Sequence, residues 1–183
     1  MEEKKYAVLI DGDNISSKYL DSILNEMTKY GIATYKRIYC DFTSQQSSKW
    51  RRLVRDSGIQ AMQQFANTVG KNATDSTLII DAMDILYTGN VDGFCIVSSD
   101  GDFTRLAIRL KESGMDVIGM GESKTPRSFR AACTVFTDLE ILYEAESEDD
   151  EISTKGKKPA VKHNVVKAVS YTHLRAHETE LHL

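Results

Sequence analysis

The chain has 183 residues, 41% hydrophobic and 27% charged, with two prolines and a formal net charge of −4. That supplies one globular core with chain to spare, and no window approaches the ~18 uninterrupted apolar residues of a transmembrane helix. The acidic start MEEKKYAVLIDGDN lacks the basic segment and long apolar run of a secretory signal, so the expectation is a cytoplasmic protein with no membrane partner.

Tyr6–Ile10 is a short apolar run ending at Asp11, consistent with a buried parallel strand. Ile15, Tyr19, Ile23 and Met27 then recur at helical spacing up to Gly31. Ala33–Cys40, rich in aromatic and β-branched residues, reads as a second strand, followed by a basic helix near Ser48–Asp56 and a third strand over Ile59–Phe65. A helix is predicted from Asp75 to Tyr87, a buried strand over Gly93–Val97, a helix from Asp102 to Ser113, and a fifth strand over Asp116–Met120. Thr125 and Pro126 suit the N-cap and first position of a short helix, and Thr134–Thr137 reads as a last edge strand. Alternating strands and helices imply right-handed crossovers and an α/β class, a three-layer α/β/α sandwich around a mainly parallel sheet.

Composition breaks after Tyr143. Glu144–Glu151 carries six acids in eight residues and Lys155–Lys167 five lysines, the pattern of a solvated, disordered linker. The expected organisation is therefore a domain over 1–143, a charged linker over 144–168 and an artefactual tail over 169–183. Val169–Thr179 (VSYTHLRAHET) resembles the translated read-through of a sequencing adapter and is expected to contribute nothing to the fold. Three of the four histidines fall in that tail and the fourth, His163, in the linker, which argues against histidine catalysis. Cys40, Cys95 and Cys133 are widely spaced and form no C-x-x-C, so buried thiols are expected rather than disulfides or a zinc site.

The carboxylates cluster. Asp11 and Asp13 end the first strand in IDGDN, and Asp100 and Asp102 end the fourth in SSDGDF, so both pairs project from the C-terminal sheet edge, where ligands bind open α/β folds. Asp75 joins them if its helix begins near that edge. Several acids in one cleft repel one another unless a cation neutralises them. Oxygen ligands without histidine or cysteine favour Mg²⁺ or Mn²⁺, which points to metal-activated water as the nucleophile. Read structurally, the same residues are helix caps: Asp13 or Asn14 for the first helix, Asp102 for the helix beginning at Phe103. Two basic groups offer phosphate contacts, Lys49, Arg51, Arg52 and Arg55 around Trp50, and Lys124, Arg127 and Arg130 around Phe129. The alternative is a solvated basic helix with Trp50 in the core.

IDGDN, the helix segment KNATDSTLIIDAMD, VSSDGDF and VIGMG, in this order from Tyr6 to Tyr143, resemble the NYN domains, a PIN-like nuclease group that includes LabA-type proteins. The resemblance implies a PIN-like sheet of order 3-2-1-4-5 and a ribonuclease acting on RNA, with single strands the expected form, in processing or decay. By position it assigns Asp11, Asp75, Asp100 and Asp102 to the metal, Asn14 to holding the loop or a metal-bound water, and Ser99 to a phosphate. Lys49, Arg52, Lys124 and Arg127 are the expected substrate contacts. Asp81 is left between a supporting contact and a solvated helix face. The resemblance also implies a small helical RNA-binding module after a charged linker, where this chain ends or becomes adapter-like; homo-oligomerisation is left open. Two rival readings stand: a haloacid-dehalogenase-like phosphatase, with Thr43 and Lys71 as stand-ins for its further residues, and a non-catalytic RNA-binding or interaction module.

Overall fold

Strand β1 (Lys5–Asp11) is buried from Tyr6 onward, and its alternating side chains divide the interior into two layers. The computed structural model describes residues 3–65 and 73–155. Around β1 lie β2 (Ile32–Cys40), β3 (Gln60–Gln63), β4 (Gly93–Val97), β5 (Asp116–Gly121) and β6 (Val135–Asp138), all parallel, in the order β3-β2-β1-β4-β5-β6. The expected five-strand order is present, and the last edge strand extends it by one. Helices cover both faces of β1 and β4, which explains their continuous apolar runs.

Tyr6, Val8 and Ile10 of β1, with Cys95 and Val97 of β4, face one helical layer. This layer is built by α1 (Leu20–Met27), α2 (Ser48–Ser57) and α6 (Leu139–Lys155). Ala7 and Leu9, with Phe94 and Ile96, face α3 (Ala73–Thr88), α4 (Thr104–Glu112) and α5 (Arg127–Ala132). The three-layer α/β/α sandwich read from the sequence is the observed fold. The three cysteines are free and buried, as expected.

Several boundaries differ from expectation for identifiable reasons. Ile15, Tyr19, Ile23 and Met27 are all buried, but a 3-10 turn (Ser17–Tyr19) precedes α1. Pro126 stands at the N-cap of α5 with an extended ψ of 143°, one position before the place expected for it, and the Thr125 hydroxyl donates to the Glu122 carbonyl instead of capping the helix. The largest difference is at the end of the domain. The acidic run expected to begin a disordered linker at Glu144 continues α6, whose backbone is helical to Lys155.

Asp138 starts that helix by accepting the N–H groups of Glu140 and Ile141. Leu139, Leu142, Tyr143 and Glu146 then recur on one face. Leu139 is fully buried, Tyr143 meets Tyr19 edge-on at 5.6 Å, and Glu146 accepts from the Ser22 hydroxyl of α1. Tertiary contact overrides the solvation preference of the acids. The remainder of the expected linker and the whole adapter-like tail lie outside the described residues, as do all four histidines. No helix among the described residues is long and apolar enough to cross a membrane.

Candidate metal centre

The register of the central strands brings the two acidic loops together. Ile10 of β1 pairs with Val97 of β4, so Asp11 and Ser98 follow side by side. Both continue the phase of Ala7, Leu9, Phe94 and Ile96, and both therefore face the α3–α4 layer. The Ser98 hydroxyl donates to Asp11 Oδ2 at 2.6 Å and accepts the Asp100 N–H at 3.0 Å. One buried serine thus ties the two strand ends.

Asn14 Nδ2 also donates to Asp11 Oδ2, at 2.8 Å. Asp11 is fully buried, and its other oxygen, Oδ1, has no hydrogen-bond partner. Burial pushes the Asp11 carboxyl above its ordinary range, while the bonds from Ser98 and Asn14 pull it back. A buried carboxylate with one oxygen accepting from two donors and the other without a hydrogen bond calls for a counter-charge or a proton.

Asp75, Asp100 and Asp102 place one carboxylate oxygen each within 4.8 Å of one another. Asp75 comes from the first turn of α3, which begins at the C-terminal edge of the sheet as the crossover from β3 requires. Burial pushes its carboxyl up to about 6, and the charges of Asp11, Asp100, Asp102 and Asp13 push the same way. Asp11 is not in the 4.8 Å trio but stands beside it, with its bare oxygen. The capping reading is met once, by a different acid from the one expected: Asp100, not Asp102, caps the turn after β4, accepting the Asp102 N–H at 2.9 Å.

The loop that carries Asp11 is held by its neighbours. A Cβ at Gly12 would lie 2.9 Å from the Ile38 side chain and 3.0 Å from the Cβ of Cys40, so a larger residue would push the loop off β2. The Gly12 carbonyl accepts the indole N–H of Trp50 at 3.0 Å. Trp50 is therefore a buried strut under the loop rather than a stacking surface. Phe129 is likewise fully buried in the core.

Other residues singled out from the sequence are placed as follows. Ser99 is buried, and its oxygen accepts the Glu122 N–H at 2.9 Å, which joins the β4 and β5 loops. Asp81 is neither a solvated residue nor part of the acid trio: it binds Arg37 and the Tyr39 hydroxyl of β2. Lys124 pairs with Glu122 at 2.9 Å, and Arg130 reaches the Ser123 and Thr125 carbonyls and Asp138. Arg51 donates to the carbonyls of Phe42 and Ser44. Lys49, Arg52 and Arg127 are exposed, with no ion pair among the described residues. Thr43 is bound to Asp41 through its hydroxyl and its N–H, and Lys71 lies outside the described residues.

The sequence does not single out Ser98, and it leaves Trp50 between a place beside the substrate and a place in the core. For Ser98 the signal was present: it is the next residue in the two-residue alternation of Phe94 and Ile96. For Trp50 nothing local distinguishes a core indole from an exposed one.

The model of the NYN domain matches residues 5–140. The chain belongs to the NYN domain family. NYN domains lie within the PIN-like nuclease superfamily, whose members generally use divalent metals. Among curated proteins, the uncharacterized protein MJ0482 of Methanocaldococcus jannaschii is 27% identical over 125 residues, 65% of this chain and 48% of that protein. The chain thus spans about half the length of that relative. Among solved structures, VPA0982 of Vibrio parahaemolyticus, a protein of unknown function, superposes with a TM-score of 0.62 at 18% identity. That match covers 75% of this chain and 96% of the Vibrio chain, and it supports the fold. The donor set of this NYN domain, all carboxylate oxygens with one of them buried and bare, fits a hard divalent cation.

Proposed function

We propose that this NYN domain is a ribonuclease that hydrolyses phosphodiester bonds of single-stranded RNA with Mg²⁺ or Mn²⁺, in RNA processing or decay. The observation that carries this reading is the bare buried oxygen of Asp11 beside the Asp75, Asp100 and Asp102 trio. Asp75, Asp100 and Asp102 would hold the ion, with Asp11 Oδ1 turned to the same charge. When bound, such an ion lowers the pKa of water and offsets charge building on phosphoryl oxygens. Ser98 and Asn14 fix Asp11 by occupying Oδ2, so that only one of its oxygens is available. Asp100 holds the loop turn that presents Asp102. An aspartyl-phosphate mechanism on Asp11 is disfavoured, because Thr43, the stand-in for its second-strand hydroxyl, is bound to Asp41.

The test is incubation of the full chain with end-labelled single-stranded RNA under Mn²⁺, Mg²⁺ or EDTA, beside Asp100→Asn. The expected result is metal-dependent cleavage that falls by roughly a hundredfold or more in the folded variant, since even outer-shell changes around a metal cost about 10- to 100-fold. RNA bound but uncut by folded protein under both metals would make the domain a binding module instead.

A further inference from the structure

The sequence offers two basic groups for the substrate, and the structure treats them differently. In the α5 group, Lys124 is paired with Glu122 and Arg130 is engaged by three loop carbonyls and Asp138, which leaves Arg127 as the one exposed cation of that group without an ion pair among the described residues. In the α2 group, Arg51 is engaged by carbonyls, while Lys49 and Arg52 are exposed and carry no ion pair among the described residues. Lys49 and Arg52 line a groove with Ser16 and, from the facing 3-10 turn, Ser17 and Lys18; Asp21 is the acid on its wall. The Lys18 ammonium lies over the rings of Tyr19, at 4.7 Å, and Tyr143, at 5.2 Å, which fixes a third cation on that wall.

The groove is continuous with a trough of about 600 Å³ that shares Ser16, Ser17, Ser48 and Lys49 with it. That trough reaches Asp13 and Asn14. Asn14 is hydrogen-bonded to Asp11, and Asp13 is one of the charges acting on Asp75, so the inner end of the trough borders the acid cluster. Trp50, from the same helix as Lys49 and Arg52, donates to the loop carbonyl of Gly12, which ties the groove to the acid loop. Three cations against one acid in the outer groove, with serine hydroxyls between, suit a chain of phosphates.

We infer that a single-stranded polynucleotide leaves the acid centre over the Gly12–Asn14 loop and runs between the 3-10 turn and α2, its phosphates held by Lys49 and Arg52, and not along α5. This rests on the nuclease reading for the place of the scissile bond, but not for binding itself. The phosphate at the inner end lies toward Asn14, and those farther along the strand lie toward Arg52.

The test is equilibrium binding of a fluorescent single-stranded RNA to the full chain in EDTA, over a salt series. Wild type is compared with a Lys49→Glu/Arg52→Glu pair, a milder Lys49→Ala/Arg52→Ala pair and a control Lys124→Glu/Arg127→Glu pair. All four substituted side chains are exposed, and melting curves would check that each variant folds. Both α2 pairs are expected to weaken binding, the charge reversal by more than tenfold. The alanine pair should also lower the slope of log affinity against log salt by about 1.4, as expected for two lost phosphate contacts on a single strand. The α5 pair is expected to change affinity less than twofold. Equal loss in both charge-reversal pairs, loss in the α5 pair alone, or no binding by folded wild type would overturn the path. Binding through the groove without cleavage under Mn²⁺ or Mg²⁺ leaves the path standing and removes the nuclease reading. Cleavage indifferent to Lys49 and Arg52 does the reverse.

Discussion

Asp75 concentrates the electrostatic conflict of the site. Its carboxyl is pushed from 3.8 up to about 6, first by burial and then by the acids around it. The folded, metal-free chain therefore binds this proton more tightly than the unfolded chain does. Stability falls as pH rises from about 4 through 6, and the penalty is complete above that window. Asp75→Asn is expected to raise the melting temperature of the EDTA-treated chain at pH 7.5, with the gain shrinking below pH 6 and gone near pH 4. The same variant should lose the stabilisation that added Mn²⁺ gives the wild type. A melting series against pH, with and without Mn²⁺, checks both, and an Asn variant less stable than wild type at pH 7.5 would contradict the assignment of strain. Ser98 carries the opposite kind of energy. Ser98→Ala leaves Asp11 with one fewer donor and the Asp100 N–H without its acceptor. Denaturant unfolding should show a loss of about 1–3 kcal/mol.

At the scale of elements, the question is what holds α3 so that Asp75 reaches the acids of β1 and β4. The Thr77 hydroxyl donates to Gln64 at 2.7 Å, and Asp81 binds both Arg37 and Tyr39 of β2. Leu78, Ala82 and Ile85 seat the helix on the sheet. The polar clamp fixes rotation and register, which a slippery apolar face fixes less sharply. Asp81→Ala leaves a half-buried arginine without its partner, and a loss of about 3 kcal/mol is expected from such a broken pair. The variant should also weaken Mn²⁺ binding, measured by calorimetry, although residue 81 touches no part of the acid trio. Unchanged Mn²⁺ affinity would mean that the apolar face alone sets the helix.

At the scale of the molecule, the NYN domain is closed on one side by α6. The Leu139, Leu142, Tyr143 and Glu146 face packs on α1 and on the layer beneath the basic groove. A chain ended at Tyr143 keeps the three apolar contacts but loses the Glu146–Ser22 bond and the helical turns that follow it. It should be less stable than one ended at Lys155 by about 1 kcal/mol, as read from urea midpoints. Equal midpoints would make the acidic part of α6 a spectator.

The sequence alone determined what depends on local periodicity. Apolar runs bounded by aspartate marked the strands, their alternation with amphipathic segments determined the layers, and two D-G-D turns at strand ends marked the edge where the candidate site lies. Those signals are local because burial on both faces of a strand leaves a continuous apolar run. Tertiary structure alone decided which residues meet. Register set Ser98 against Asp11, sheet packing turned Asp81 toward β2, and docking on α1 kept an acidic run helical where its charge predicts solvated coil. It also separated engaged cations from unengaged ones, since Arg51 and Arg130 are held by backbone carbonyls that no charge pattern shows and Lys124 by its near neighbour Glu122, while Lys49 and Arg52 face a groove. Charge is written in the sequence; the partner that neutralises it is a matter of distance.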